Sequence, residues 1–293
     1  MKKTFQYIFL GACALFFVAC SRKEGEEKRD IPVVYVSILP EAGLVRTIAG
    51  RVLEVRVLVK KNQSPHHYEP TARELTRLSD AHLLLALGFP FEQQIIKKMK
   101  PLYPQLQVVD ISKGIVRRTV QDDLHHHAET DPHIWFAPKN LSVLASNICD
   151  ALSKTYPAHA EIFQGNLKKL QQQIQQLDAQ IKMDLAPFKG RAFYVFHPSF
   201  GYFSDAYALK QVAVEQDGKA PTPRELARLI RNAKTEGTQV VLVQKSFPPK
   251  SAEAVANAIH GRVVVLNPLA ENPLETIQKL ANVLTDSWKE TTP

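Results

Sequence analysis

The chain has 293 residues, 45% of them hydrophobic and 23% charged, with a formal net charge of +8. That is an ordinary globular composition, which excludes a disordered chain and a polytopic membrane protein, and the length allows two domains. Lys and Arg are interspersed with acids and form no aromatic-rich basic stripe, which excludes a nucleic-acid surface.

At the start of the chain, Lys2 and Lys3 precede an uncharged apolar run from Ile8 to Ala19. This is the pattern of a secretory signal peptide over residues 1–19. The run is shorter than the ~20 residues of a membrane-spanning helix, so cleavage is expected. Phe17-Val18-Ala19-Cys20 resembles a bacterial lipobox, which implies lipidation of Cys20. Loss of Lys2 and Lys3 with the signal brings the net charge to about +6. Residues 20–30 are charged and lack any apolar anchor after Cys20, so they read as a flexible, lipidated tether. With Cys13 removed and Cys20 acylated, only Cys149 remains, and no disulfide framework can form.

From Ile31 onward, β-branched runs alternate with helical patterns. Strands are predicted at Val33–Ile38, Leu53–Val59, His82–Leu87 and Val108–Ile111, then at Ala192–Phe196, Gln211–Val214, Gln239–Val243 and Arg262–Leu266. The resulting fold class is α/β, with two βα lobes, each built on a mostly parallel four-stranded sheet. Pro70-Thr71-Ala72-Arg73-Glu74-Leu75 and Pro221-Thr222-Pro223-Arg224-Glu225-Leu226 echo each other across the halves. In both, Thr precedes Glu by three residues, so each is a capping box that opens a helix. In the first half, Cys149 falls within the helical pattern Leu141, Leu144, Ala145, Ile148, Leu152 and is expected to be buried and inert.

Between the halves, residues from Pro157 to Pro187 contain one glycine. Ile162, Leu167, Leu170, Ile174, Leu177, Ile181 and Leu185 recur there at helical spacing. This predicts one rigid α-helix of about 45 Å joining the lobes. A coiled-coil partner surface is the other use of such a stripe, although it covers few heptads. The expected domains are an N-terminal lobe over 31–155, the connecting helix over 156–187 and a C-terminal lobe over 188–293.

Ten histidines are present. His66 and His67 lie in a Pro-bounded loop after the second strand. His133 lies in the loop Asp131-Pro132-His133-Ile134-Trp135, and His197 directly follows the first strand of the second half. In open α/β sheets, ligands bind outside the carboxyl ends of strands. These loops, drawn from both halves, are therefore expected to converge on one divalent cation in a cleft. His125-His126-His127 sits among acids just upstream of His133, and reads either as a weak metal-gathering tract or as a mobile polar loop. His82, His159 and His260 lie in helical or strand patterns and read as structural or exposed.

These motifs resemble the solute-binding lipoproteins of zinc and manganese ABC importers. The residues that carry the resemblance are His66-His67-Tyr68-Glu69-Pro70, Asp131 to Trp135, and His197 after its strand. The resemblance spans the chain from about Ile31 and implies two lobes joined by a rigid helix. It also implies His66, rather than His67, as a ligand beside His133 and His197. Many relatives have an aspartate as fourth ligand where this chain has Asn267, which leaves the fourth position to Asn267, water or another group. Manganese members carry a carboxylate at the position of His197, so three imidazoles favour Zn²⁺ as the bound, transported ion.

The expected function is an extracytoplasmic zinc receptor, not an enzyme, acting as a monomer and delivering Zn²⁺ to an ABC permease and its ATPase. It would be lipid-anchored to a bacterial membrane. The alternatives are a manganese- or iron-selective receptor, or a zinc hydrolase using Glu69 or Asp131 as base; His-Glu-x-x-His is missing. A stiff connector also predicts small lobe shifts and loop rearrangement around His66 or His197 on metal exchange.

Overall fold

The computed structural model describes residues 31–120, 129–215, 219–244 and 250–290. The predicted signal, Cys20, the tether and His125–His127 lie outside the described residues. No helix among the described residues is long and apolar enough to cross a membrane.

In the first lobe, β1 (Val33–Val36), α1 (Leu39–Ala49), β2 (Glu54–Val57), α2 (Ala72–Arg77), β3 (Leu83–Ala86), α3 (Pro90–Met99) and β4 (Gln107–Asp110) follow one another. They form a parallel sheet in the order β2-β1-β3-β4. A short antiparallel pair, β5 (Thr119–Val120) with β6 (Glu129–Thr130), comes next, and then α4 (Pro138–Thr155). The sequence reading contained no strand at β5 or β6, because two residues carry no periodicity.

The connecting helix, α5, spans Ala160–Leu185, 26 residues. Beyond it lie β7 (Ala192–Val195), α6 (Gly201–Ala206), β8 (Lys210–Ala213), α7 (Pro223–Thr235), β9 (Val240–Val243), α8 (Lys250–Ala258), β10 (Arg262–Val265) and α9 (Pro273–Lys289). The second sheet is also parallel, in the order β10-β9-β7-β8. Numbered within its own lobe, each sheet reads second, first, third, fourth strand, so the halves share one topology. The inner strands β1, β3, β7 and β9 are buried throughout. All four are runs of Val, Leu, Ala, Phe and Tyr, as sheets covered on both faces require.

Both predicted capping boxes form. Thr71 Oγ1 accepts from the Glu74 amide and Thr222 Oγ1 from the Glu225 amide, while each Glu side chain accepts from its threonine's amide. α5 is shorter than expected, about 39 Å at 1.5 Å per residue, because its ends tighten into 3₁₀ turns at Pro157–His159 and Ala186–Phe188. Its buried stripe begins at Phe163, which is fully buried, whereas Ile162 is 45% exposed. A stripe of Phe163, Leu167, Leu170 and Ile174 keeps alternating steps of four and three, which Ile162 would break.

The helix is not a free rod. It packs on α1 and α4 of the first lobe and on α9. Asn166 Nδ2 donates to Ile48 O, Gln171 Nε2 to Ser146 Oγ, and Tyr207 Oη to Asp178 Oδ1. A main hydrophobic core runs through both lobes, and a smaller one lies on the α8 side of the second sheet. Gly43, inside α1, lets the 270s loop approach: a Cβ there would lie 1.8 Å from Glu271 O. Arg46, one turn on, forms an ion pair with Glu271. Cys149 is buried, and burial pushes its thiol pKa up, as an inert core cysteine requires.

Candidate metal centre

His66 rides on a single 3₁₀ turn, Pro65–His67, set by proline and by Ser64 Oγ, which accepts the His66 amide at 3.3 Å. The residue is exposed, while its Nε2 points at His197. His133 opens the 3₁₀ turn Ile134–Phe136 and is 6% exposed. His197 lies two residues past β7 and is half-buried.

The structure brings these three together: one ring nitrogen from each lies within 4.8 Å of the others. His66 Nε2 and His197 Nε2 are 3.2 Å apart, and the three ring centroids are separated by 4.9 to 5.3 Å. Two nitrogens bound tetrahedrally at the usual Zn–N length of 2.0–2.1 Å are about 3.3 Å apart, so the spacing is that of a coordination edge. His67, His82, His159 and His260 are not part of this group. His67 and His82 are exposed, His159 packs against Phe163, and His260 occupies a left-handed turn with φ 55°.

Two of the three imidazoles are backed by buried carboxylates. Asp131, fully buried, accepts the His133 amide at 2.9 Å and His133 Nδ1 at 2.8 Å through Oδ1. Its Oδ2 faces Arg118 Nη1 at 3.4 Å. This fixes the tautomer and leaves His133 Nε2 as the lone-pair nitrogen. Glu215 Oε1 pairs in the same way with His197 Nδ1. Gln244 clamps the His197 main chain: its Oε1 accepts the amide at 3.2 Å, and its Nε2 donates to His197 O at 2.6 Å.

Electrostatics disfavour the charged forms of His66 and His133. Loss of hydration pulls the His66 pKa well below the ordinary histidine value, and the neighbouring His133 and His197 add to the shift. His133 is also lowered, by burial first, with Asp131 opposing. Burial pushes Asp131 up, but the hydrogen bond and charge of His133, with Arg118, outweigh it and hold the carboxylate below its usual range. Neutral imidazole beside ionised carboxylate is the state a metal ligand needs.

Behind the histidines lies an aromatic wall. Trp135 sits 5.4 Å from His133 between ring centroids, and Phe136 meets Phe200 of the other lobe edge-on at 4.7 Å. Trp135 Nε1 donates to Pro268 O across the lobes at 3.0 Å. Asn267, the candidate fourth ligand, uses its Oδ1 to accept the Leu269 amide at 3.1 Å, closing its own turn. A side-chain oxygen committed locally is a poor donor to a metal, so the geometry favours a histidine triad without Asn267.

Sequence reasoning missed Glu215, Gln244, Arg118 and Tyr202. Tyr202 Oη accepts the Arg118 amide and donates to Asp131 O, and Arg118 Nε donates to Asp205 on α6. The available signal was a polar residue closing an otherwise apolar strand end, Val214-Glu215 and Val243-Gln244.

Two parallel-sheet lobes closing on a histidine cluster define a two-lobed solute-binding protein. Residues 34–288 match the family described as "ZnuA: Zinc-uptake complex component A periplasmic", and the chain belongs to that family. Among solved structures it is similar to a crystal structure of ZnuA, 31% identical, covering 88% of this chain and 99% of that one, with a TM-score of 0.81. It also resembles a ZnuA deletion mutant with zinc bound, at 32% identity, covering 88% of this chain and 98% of that one, with a TM-score of 0.80.

Among curated relatives, the zinc-binding lipoprotein AdcA of Streptococcus pneumoniae is 27% identical over 282 residues, 92% of this chain and 56% of the relative. The chain thus spans about half the length of that protein. A putative metal-binding protein of Chlamydia trachomatis is 26% identical over 268 residues, 91% of this chain and 95% of the relative.

Proposed function

We propose that this chain is an extracytoplasmic receptor that binds one Zn²⁺ through His66, His133 and His197 and delivers it to an ABC permease and its ATPase, performing no chemistry itself. The observation that carries the reading is the convergence of three imidazole nitrogens within 4.8 Å. Three neutral nitrogen donors suit Zn²⁺, whereas Mn²⁺ prefers oxygen-rich shells. The zinc-bound ZnuA structure and the zinc-binding name of the streptococcal relative support the same cargo.

The receptor is read as a monomer with lobes over 31–155 and 188–293 and the connector over 156–187. Export by residues 1–19 and lipidation at Cys20 would hold it at the outer face of a bacterial membrane. A hydrolase needs a free base beside metal-bound water. Asp131 is committed to His133 and Arg118, and Glu69 lies exposed on its loop.

The test is metal analysis of chelator-free protein together with thermal unfolding. About one zinc per chain is expected. At zinc ~1,000-fold above Kd, linkage stabilises by about 4 kcal/mol, or roughly 10 °C for a chain of this size. Steady turnover of an ester or peptide, or saturation by Mn²⁺ in preference to Zn²⁺, overturns the reading.

A further inference from the structure

Glu215 is the first acidic residue past β8, and its amide donates to Phe196 O at 3.0 Å, so it extends the sheet beside the strand that carries His197. The residue is 5% exposed. One carboxylate oxygen meets His197 Nδ1, and the other, Oε2, has no hydrogen-bond partner among the described residues. A carboxyl group buried with one oxygen unsatisfied costs stability, so such a group marks a task other than stabilising the fold.

Three neutral imidazoles leave the +2 of a bound ion uncompensated, and Asn267, turned onto Leu269, brings no carboxylate to the centre. Two buried carboxylates stand one hydrogen bond behind the ligands: Asp131 behind His133 and Glu215 behind His197, one from each lobe. Asp131 shares its charge with Arg118, whereas no cation among the described residues forms an ion pair with Glu215.

We propose that Glu215 is a positioning residue for the metal: it fixes His197 as the Nδ1–H tautomer, aims Nε2 into the cluster and supplies the charge that a fourth, ligating carboxylate would otherwise bring. This rests on the zinc-receptor reading. A carboxylate on Nδ1 raises the basicity of Nε2, and loss of such a partner lowers metal affinity by about 10–100-fold. Glu215 is then a determinant of how tightly the second lobe grips the ion, without touching it.

The experiment compares wild type, Glu215→Gln and, as a control in the same lobe, Glu236→Gln, whose carboxylate only accepts the Tyr194 hydroxyl. Zinc affinity is read by chelator competition, and the His197 tautomer by nitrogen-15 NMR of the imidazole in the metal-free protein. Wild type should show Nδ1–H at His197. Glu215→Gln should bind one zinc about 10–100-fold more weakly and lose that fixed tautomer, and Glu236→Gln should match wild type. Glu215→Asp, which keeps the charge but shortens its reach, should fall between wild type and Glu215→Gln.

Equal zinc affinity in wild type and Glu215→Gln overturns the proposal and leaves the receptor reading intact. An Nε2–H tautomer in metal-free wild type overturns it even if the variants do not fold. A wild-type chain that takes up no zinc overturns the receptor reading and, with it, this inference.

Discussion

His133 and His66 come from the same lobe but are held in opposite ways. His133 is buried, its ring nitrogen bonded to Asp131, whose second oxygen faces Arg118 and whose carbonyl accepts from Tyr202 of the other lobe. His66 is an exposed residue on one 3₁₀ turn, where its amide donates to Ser64 Oγ at 3.3 Å and no carboxylate backs its ring among the described residues. A buried ligand with a satisfied partner is part of the scaffold, whereas an exposed ligand on a short turn can leave without unfolding anything. The contrast predicts that His133 acts as a fixed jaw on metal exchange while His66 is the one that moves.

Deleting each imidazole in turn separates the two histidines most strongly. His133→Ala should abolish the zinc-induced rise in melting temperature. It should also destabilise the metal-free protein by about 2–3 kcal/mol, because Asp131 keeps its charge and loses its main partner. His66→Ala should abolish the zinc effect as well, yet shift metal-free stability by no more than about 0.5 kcal/mol, as surface changes do. Denaturant melts of both variants without metal decide the matter, and equal losses would erase the distinction.

A smaller effect probes the fixed jaw alone. A Cβ on Gly201 would lie 2.3 Å from Arg118 Nη1 and 2.7 Å from Asp131 Oδ2. Gly201→Ala should push Arg118 away from Asp131, cost about 1–3 kcal/mol and weaken zinc binding, measurable in one calorimetric titration.

A weaker dependence on pH is expected at the buried carboxyl pair of Glu41 and Glu92. Glu41 is 2% exposed, and burial, then the nearby Glu92 carboxylate, hold its pKa well above 4.5. A raised folded-state pKa contributes stability below about 4.5 that is lost as pH rises through the folded value. Glu41→Gln removes the titration, so its melting temperature relative to wild type should climb between pH 4.5 and pH 8. A constant difference would show that Glu41 does not titrate there.

Much of this was legible in the sequence because burial on two sides leaves unbroken apolar runs, and the four inner strands β1, β3, β7 and β9 are such runs. Both capping boxes were legible from a Thr-to-Glu spacing. The triad was placed by its loops after strands, with His66 chosen over His67 by family resemblance rather than by pattern. The two-residue strands at Thr119 and Glu129 left no trace, since pairing there depends on the chain coming back on itself. Ile162 stood in for Phe163 because adjacent apolar residues are interchangeable to a periodicity count and only packing separates them. Glu215 was invisible for a different reason: a lone acid after a strand looks like any surface residue until the fold buries it behind His197.

The chain contains two tryptophans, and only Trp135 adjoins the histidines. Its indole is 1% exposed, lies beside the His133 ring and is hydrogen-bonded to Pro268 on the opposite side of the cleft. Any ion drawing on His133, and any slippage between the two sides, alters the surroundings of this one fluorophore. Zinc binding at His133 should therefore change the fluorescence of this indole, a change that Trp135→Phe should silence while Trp288→Phe leaves it intact.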